Sequence, residues 1–193
     1  MRLPAAGAIT LVALLVLGLA TACGSRSTNA DPKQMVLQLQ DLPIGFHARS
    51  GSGYTPSLAV PNESVVNAAQ YKAWGYVTGY AANFSKNSSV AVGTGLITST
   101  AIVYRTSAGP EKSLASTVRV CSRPPLHELS LGTRIGDEAH LCVITVKRGG
   151  MNVHTYAVMW RRGRIAASIA VSGSAGTPKQ AVALAELQDN RIK

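Results

Sequence analysis

The sequence predicts an α+β domain: an antiparallel sheet of about five strands with helices packed on it, after a cleaved signal peptide. Three observations carry this. First, Ala139–Lys147, Val153–Trp160 and Ile165–Val171 read as strands joined by the glycine turns Arg148-Gly149-Gly150 and Arg162-Gly163. Strands joined so tightly are antiparallel. Second, two further strand signals and four helical stretches give the order α, α, ββ, α, βββ, α, in which strand groups are separated by helices. Third, hydrophobic residues make up 46% of the 193 residues and charged residues only 15%, which fits a packed core and excludes a coiled coil or a disordered tail.

The first 22 residues read as an address. Arg2 is the only charge before Arg26, and an apolar run from Ile9 to Leu17 follows it. A positive start and a short apolar stretch are the pattern of a secretory signal peptide. The segment closes on Leu19-Ala20-Thr21-Ala22-Cys23-Gly24-Ser25, which resembles the bacterial lipobox. That resemblance implies cleavage before Cys23 and acylation of its thiol; the departure from the usual pattern is Leu19 one place early, with Ala20 third before the cysteine. Cleavage by ordinary signal peptidase after Ala22, or retention of the segment as an anchor, also suits these residues. Spanning a bilayer takes about 20 apolar residues, and this run is marginally short. Residues 23–30 read as a flexible tether of small polar residues, and residues 31–193 as a single α+β ectodomain.

Along the body, Asp31-Pro32 predicts a helix start, with Met35, Val36, Leu39 and Leu42 on the helix and Pro43 and Gly45 ending it. Residues 46–60 are rich in Gly, Ser and Pro and predict an irregular loop with one short strand. Asn62-Glu63-Ser64 predicts a second helix to about Trp74, with Val65, Val66, Ala69 and Ala73 on one side. Gly75–Phe84 alternates, placing Tyr76, Thr78, Tyr80, Ala82 and Phe84 on one strand face. After a turn at 86–89 comes the β-branched run Leu96–Thr106. Ser107 then opens a helix to about Val120 presenting Leu114, Ala115 and Val118, and Pro124-Pro125 ends regular structure. Past the three clear strands, Thr177-Pro178 opens a last helix with Val182, Leu184 and Ala185 apolar and Lys179, Glu186 and Asp189 toward water.

If Cys23 is acylated, Cys121 and Cys142 remain as an even pair in an oxidising compartment. A bridge between them would close a loop of about 20 residues and stabilise by roughly 3 kcal/mol; two buried thiols is the other reading.

The chemical motifs are sparse. Gly173-Ser174-Ala175-Gly176 lacks the Gly-x-Ser-x-Gly spacing of a nucleophile elbow. No phosphate loop is present. His140 and Cys142 share a strand face, and His154 on the next strand would make a three-ligand metal site at best, so no metal or other cofactor is expected. Asp137-Glu138 points to opposite faces, which is wrong for acid–base work across one bond. The formal charge of +10 could attract anionic partners, but Lys147-Arg148 and Arg161-Arg162-x-Arg164 lie at opposite ends of the middle strand, and the exported compartment holds no nucleic acid. Trp74, Tyr76, Tyr80 and Phe84 cluster in sequence, and beyond core packing they suggest a pocket for a small apolar ligand.

The order of elements is similar to the small α/β sandwich of Mog1 and PsbP-type proteins, a group that includes some mycobacterial lipoproteins. This fold-level resemblance implies little about activity. The expectation is a non-enzymatic lipoprotein on the outer side of the cell membrane, held by its N-terminal lipid and binding a small apolar ligand or an envelope protein. A structural or sensory module touching anionic lipid or wall polymer, and an envelope hydrolase with an unrecognised site, are the alternatives.

Overall fold

The computed structural model describes residues 31–53, 68–86 and 93–192. The expected leader (residues 1–22), Cys23, the expected tether, the second-helix start Asn62-Glu63-Ser64 with Val65 and Val66, and the turn residues 87–89 lie outside the described residues. Among the described residues seven strands form one antiparallel sheet: β1 (Phe46–Gly53), β2 (Tyr76–Lys86), β3 (Thr94–Tyr104), β4 (Leu126–Leu129), β5 (Glu138–Arg148), β6 (Met151–Arg162) and β7 (Ile165–Gly173). Their spatial order is β1-β2-β3-β7-β6-β5-β4. The last four strands meander back so that β7 pairs with β3 in the centre. The hairpin between β5 and β6 turns on Gly149 and Gly150, whose φ values of 56° and 81° suit the two positive-φ positions of a tight hairpin turn.

The sheet has seven strands where the sequence predicts about five. The two edge strands are the faintly marked ones: β1 falls where one short strand is expected within 46–60, and β4 is not expected at all. β1 pairs only with β2 and carries a bulge between Arg49 and Ser52; β4 pairs only with β5 and is four residues long. An edge strand needs fewer apolar residues and tolerates Gly, Ser and a flanking Pro, so it leaves little pattern to read.

Helices cover both faces. On one face, α4 (Pro178–Asp189) lies over β6 and β7, and α1 (Pro32–Met35) over β2 and β3. Ala181, Leu184 and Ala185 pack there with Ile97, Ala101, Val158, Trp160, Ile169 and Val171. On the other face, α3 (Ala108–Cys121) crosses the centre and α2 (Ala68–Ala73) lies against β2. The face of β7 carrying Ile165, Ala167, Ile169 and Val171 is buried as the alternation predicts.

Four helix expectations are corrected. The first helix is a single turn, capped by Asp31, whose carboxylate accepts from the Lys33 N–H at 3.0 Å. Val36 and Leu37 continue it as extended, fully buried chain, and a 3-10 turn follows at Leu39–Asp41. Packing against β2 and β3 decides this segment, overriding the weak helical pattern. In α2 the inward residue is Tyr71, with Ala69 and Ala73 exposed. In α3 the buried positions are Gly109, Pro110, Ser113, Leu114 and Cys121, with Ala115 exposed. In α4 Asp189 faces inward.

Candidate functional site

The four aromatics do not assemble. In the β2–β3 ladder Tyr76 stands opposite Tyr104, yet Thr78 stands opposite Val103, so Val77 is an extra residue. Such a bulge flips the alternation of side chains on either side of it. Tyr76 therefore joins Tyr71 and Trp74 beside Ile102 and Tyr104 on the α3 face, with ring centroids 5.8 Å (Tyr71–Trp74) and 6.3 Å (Tyr71–Tyr76) apart. Tyr80 and Phe84 go to the α4 face. Val77 itself is 53% exposed. A strictly alternating reading could not see the bulge, so a single pocket of Trp74, Tyr76, Tyr80 and Phe84 is corrected to two separate core clusters.

Cys121 and Cys142 are joined in a disulfide, Cα atoms 5.8 Å apart, tying the last residue of α3 to β5. Both are buried, beside Leu114 and Met159. The metal constellation considered from the sequence does not form. Cys142 is oxidised, and His154 sits opposite Thr145, on the sheet face away from His140; its Nδ1 is 2.8 Å from the Thr145 hydroxyl. Among the described residues, no three His, Cys, Asp or Glu side chains are placed to hold a metal ion together.

His140 instead sits between two carboxylates. Its Nδ1 is 2.7 Å from Glu128 of β4 and its Nε2 3.4 Å from Glu138. Glu138 also accepts from Arg161 Nε at 2.9 Å. Partial burial disfavours the imidazolium, but the two carboxylates together outweigh it and raise the His140 pKa above its ordinary value. Hydrogen bonds from Arg161 hold the Glu138 pKa down. Asp137, just before β5, caps the next turn by accepting from the Gly163 N–H at 2.7 Å.

A concave site lies on the α4 face. Leu131 and Gly132 of the loop after β4, Leu141 of β5, and Pro178, Val182 and Glu186 of α4 enclose an open groove of about 350 Å³. Leu141 in this lining is buried, and the Thr133 hydroxyl donates to Glu186 at 3.0 Å.

The fold has a known counterpart. The extracellular domain of PknH from Mycobacterium tuberculosis has a similar structure, with a TM-score of 0.57 and 9% sequence identity, covering 82% of this chain and 94% of that one. At that identity the likeness is one of fold. No protein-family model matches the chain, and no curated protein matches it in sequence. Among the described residues, no helix is long and apolar enough to cross a membrane.

The sequence reading missed a buried polar system on the α4 face of this shared fold. Asp189 accepts from Trp160 Nε1 at 3.0 Å, from Arg162 Nε at 2.8 Å and from the Gly136 N–H at 3.1 Å, and Arg162 Nη2 makes a second contact. Burial raises its pKa, but Arg162, the Gly136 N–H and Trp160 outweigh that and lower it. One residue earlier, Gln188 accepts from Ser99 Oγ at 2.6 Å and donates to the Thr100 carbonyl at 2.9 Å; Ser99 Oγ accepts from the Leu37 N–H at 2.9 Å. Arg191 adds a contact to both oxygens of Asp41 at 2.6 Å. The usable signal was spacing: Gln188 continues the 181, 184, 185 stripe of α4, and a central-strand Trp160 needs a partner for its indole N–H.

Proposed function

We propose that this chain is a non-enzymatic binding module on the outer side of a membrane, acylated at Cys23, which holds a small apolar ligand in the groove between α4, β5 and residues 131–133. The observation that carries the outward address is the buried Cys121–Cys142 disulfide, a bond that persists in oxidising compartments. The lipobox-like Ala20-Thr21-Ala22-Cys23 and the fold shared with an extracellular domain support the same reading. The ligand reading is supported by a groove lined by the apolar Leu131, Leu141, Pro178 and Val182 together with the polar Ser130, Thr133, Lys179 and Glu186; apolar surface with a few polar groups is the ordinary make-up of a small-molecule site. The non-enzymatic reading rests on the sequence, which carries no nucleophile elbow or phosphate loop.

Native mass spectrometry of the membrane-extracted protein tests it. The expected result is a bound apolar molecule that leaves on denaturation and whose occupancy falls in Thr133→Trp, where an indole fills the groove. A protein that carries no such molecule from its own membrane, and binds none from a lipid extract, overturns the ligand reading.

A further inference from the structure

The two ends of the sheet differ in their carboxylates. At one end Asp137, Glu138, Asp189 and Glu111 lie among Arg105, Arg161, Arg162 and Arg164, with Arg161 paired to Glu138 and Asp137 and Arg162 to Asp189. The opposite rim is set by the register. Phe46 pairs with Lys86, Thr94 with Gly173, Gly173 with His154, and His154 with Thr145, beyond which the β5–β6 hairpin projects. The described residues along this rim, 43–46, 86, 93–94, 145–154 and 173–180, include no Asp or Glu. They include Lys86, Lys147, Arg148 and Lys179, none in an ion pair among the described residues. Lys86 Nζ lies 5.0 Å from the centre of the Phe46 ring, and Thr94 Oγ1 donates to Gln180 at 3.1 Å, which fixes the start of α4, with Lys179, at this end.

Exposed apolar side chains stand among these cations. Ile44 is fully exposed at 100%, Met151 is 43% exposed and Val146 40%. A water-soluble polyanion would gain from the lysines and nothing from Ile44. A bilayer with anionic headgroups gains from both, because cations reach the phosphates while apolar side chains enter the boundary below them.

We propose that this rim, with Ile44 and Met151 as apolar contacts and Lys86, Lys147, Arg148 and Lys179 as cations, is the surface by which the domain lies on an anionic lipid bilayer. The inference rests on the reading that Cys23 is acylated: the seven residues from Gly24 to Ala30 span at most about 25 Å, which keeps the body beside the membrane. Tethering at that distance makes even a weak surface contact effective.

The test uses the protein extracted from its membrane and placed in vesicles of phosphatidylcholine alone, or of phosphatidylcholine mixed with phosphatidylglycerol. Amide hydrogen exchange is read by mass spectrometry. Slower exchange at 44–46 and 146–153 is expected in the anionic vesicles only. Lys147→Ala with Arg148→Ala should weaken this docking roughly 25-fold at about 1 kcal/mol per basic residue. Ile44→Ser should weaken it as well, while Arg105→Ala, at the opposite end, should leave it intact. Equal exchange in both vesicle types overturns the proposal. So does protection that a soluble polyanion reproduces and that ignores Ile44→Ser, which would assign the rim to a polymer. The mass at Cys23 in the same sample reports acylation separately: a bare thiol there removes the tether, whereas a lipidated chain with no charge-dependent protection removes the docking rim alone.

Discussion

Asp189 is a buried carboxylate that ties β6 and the Gly136 backbone to the end of α4. Its carboxylate is nearly enclosed and answers the indole of Trp160, the guanidinium of Arg162 and the N–H of Gly136. Asp189→Ala leaves a buried indole N–H and a backbone N–H without acceptors while Arg162 relaxes toward water, and a loss of about 3 kcal/mol in unfolding free energy is expected from denaturant titration. The sign with pH follows from its lowered pKa. Stability from this group is complete above the ordinary aspartate value of 3.8 and is lost as the pH falls through the lower folded value; Asp189→Asn removes that part of the acid dependence. His140 has the opposite sign. Its raised pKa means that its bonds to Glu128 and Glu138 stabilise fully below pH 6.5 and fade as the pH rises through the folded value. The unfolding free energy from denaturant titration should fall modestly from pH 6 to pH 8, by less than about 1 kcal/mol for so accessible a pair, and the drop should vanish in His140→Gln. Sequence made Asp189 look solvent-facing because charge alone suggested it; only the position of Trp160 on the neighbouring strand reveals its role.

At the scale of elements, the disulfide binds the α3 layer to the sheet. It closes a loop 21 residues long that contains all of β4, the edge strand that pairs only with β5. Replacing both Cys121 and Cys142 by Ala should lower unfolding stability by roughly 3 kcal/mol in the chain-entropy picture, and amide exchange in Leu126–Leu129 should quicken more than in the central β3 and β7. The central elements were legible. Val153–Trp160 and Ile165–Val171 follow glycine turns, and the buried Val158, Trp160, Ile165, Ala167, Ile169 and Val171 leave an alternating apolar pattern. The edges were less so: β1 reads Phe-His-Ala-Arg-Ser-Gly-Ser-Gly, which supports no more than one short strand within a loop, and β4 follows two prolines. The bulge at Val77 likewise exists only because β2 must fit β3, so the aromatic pocket read from strict alternation came apart on the two faces of the sheet. The groove was equally hidden, since its walls come from α4, β5 and a loop more than 40 residues before that helix.

For the whole molecule, the prediction of an antiparallel sheet with helices packed on it matches the structure, and the fold is shared with an extracellular domain despite 9% identity. Three features bear on location: an N-terminal apolar stretch ending in Ala20-Thr21-Ala22-Cys23, a cystine linking α3 to β5, and a rim at one end of the sheet whose described residues hold no carboxylate. The intact mass of the protein extracted from its native membrane tests this most directly. The account predicts a chain beginning at Cys23, heavier by a diacylglycerol and lighter by the two hydrogens lost in joining Cys121 to Cys142. A chain that retains Met1 and carries three unmodified thiols would contradict it.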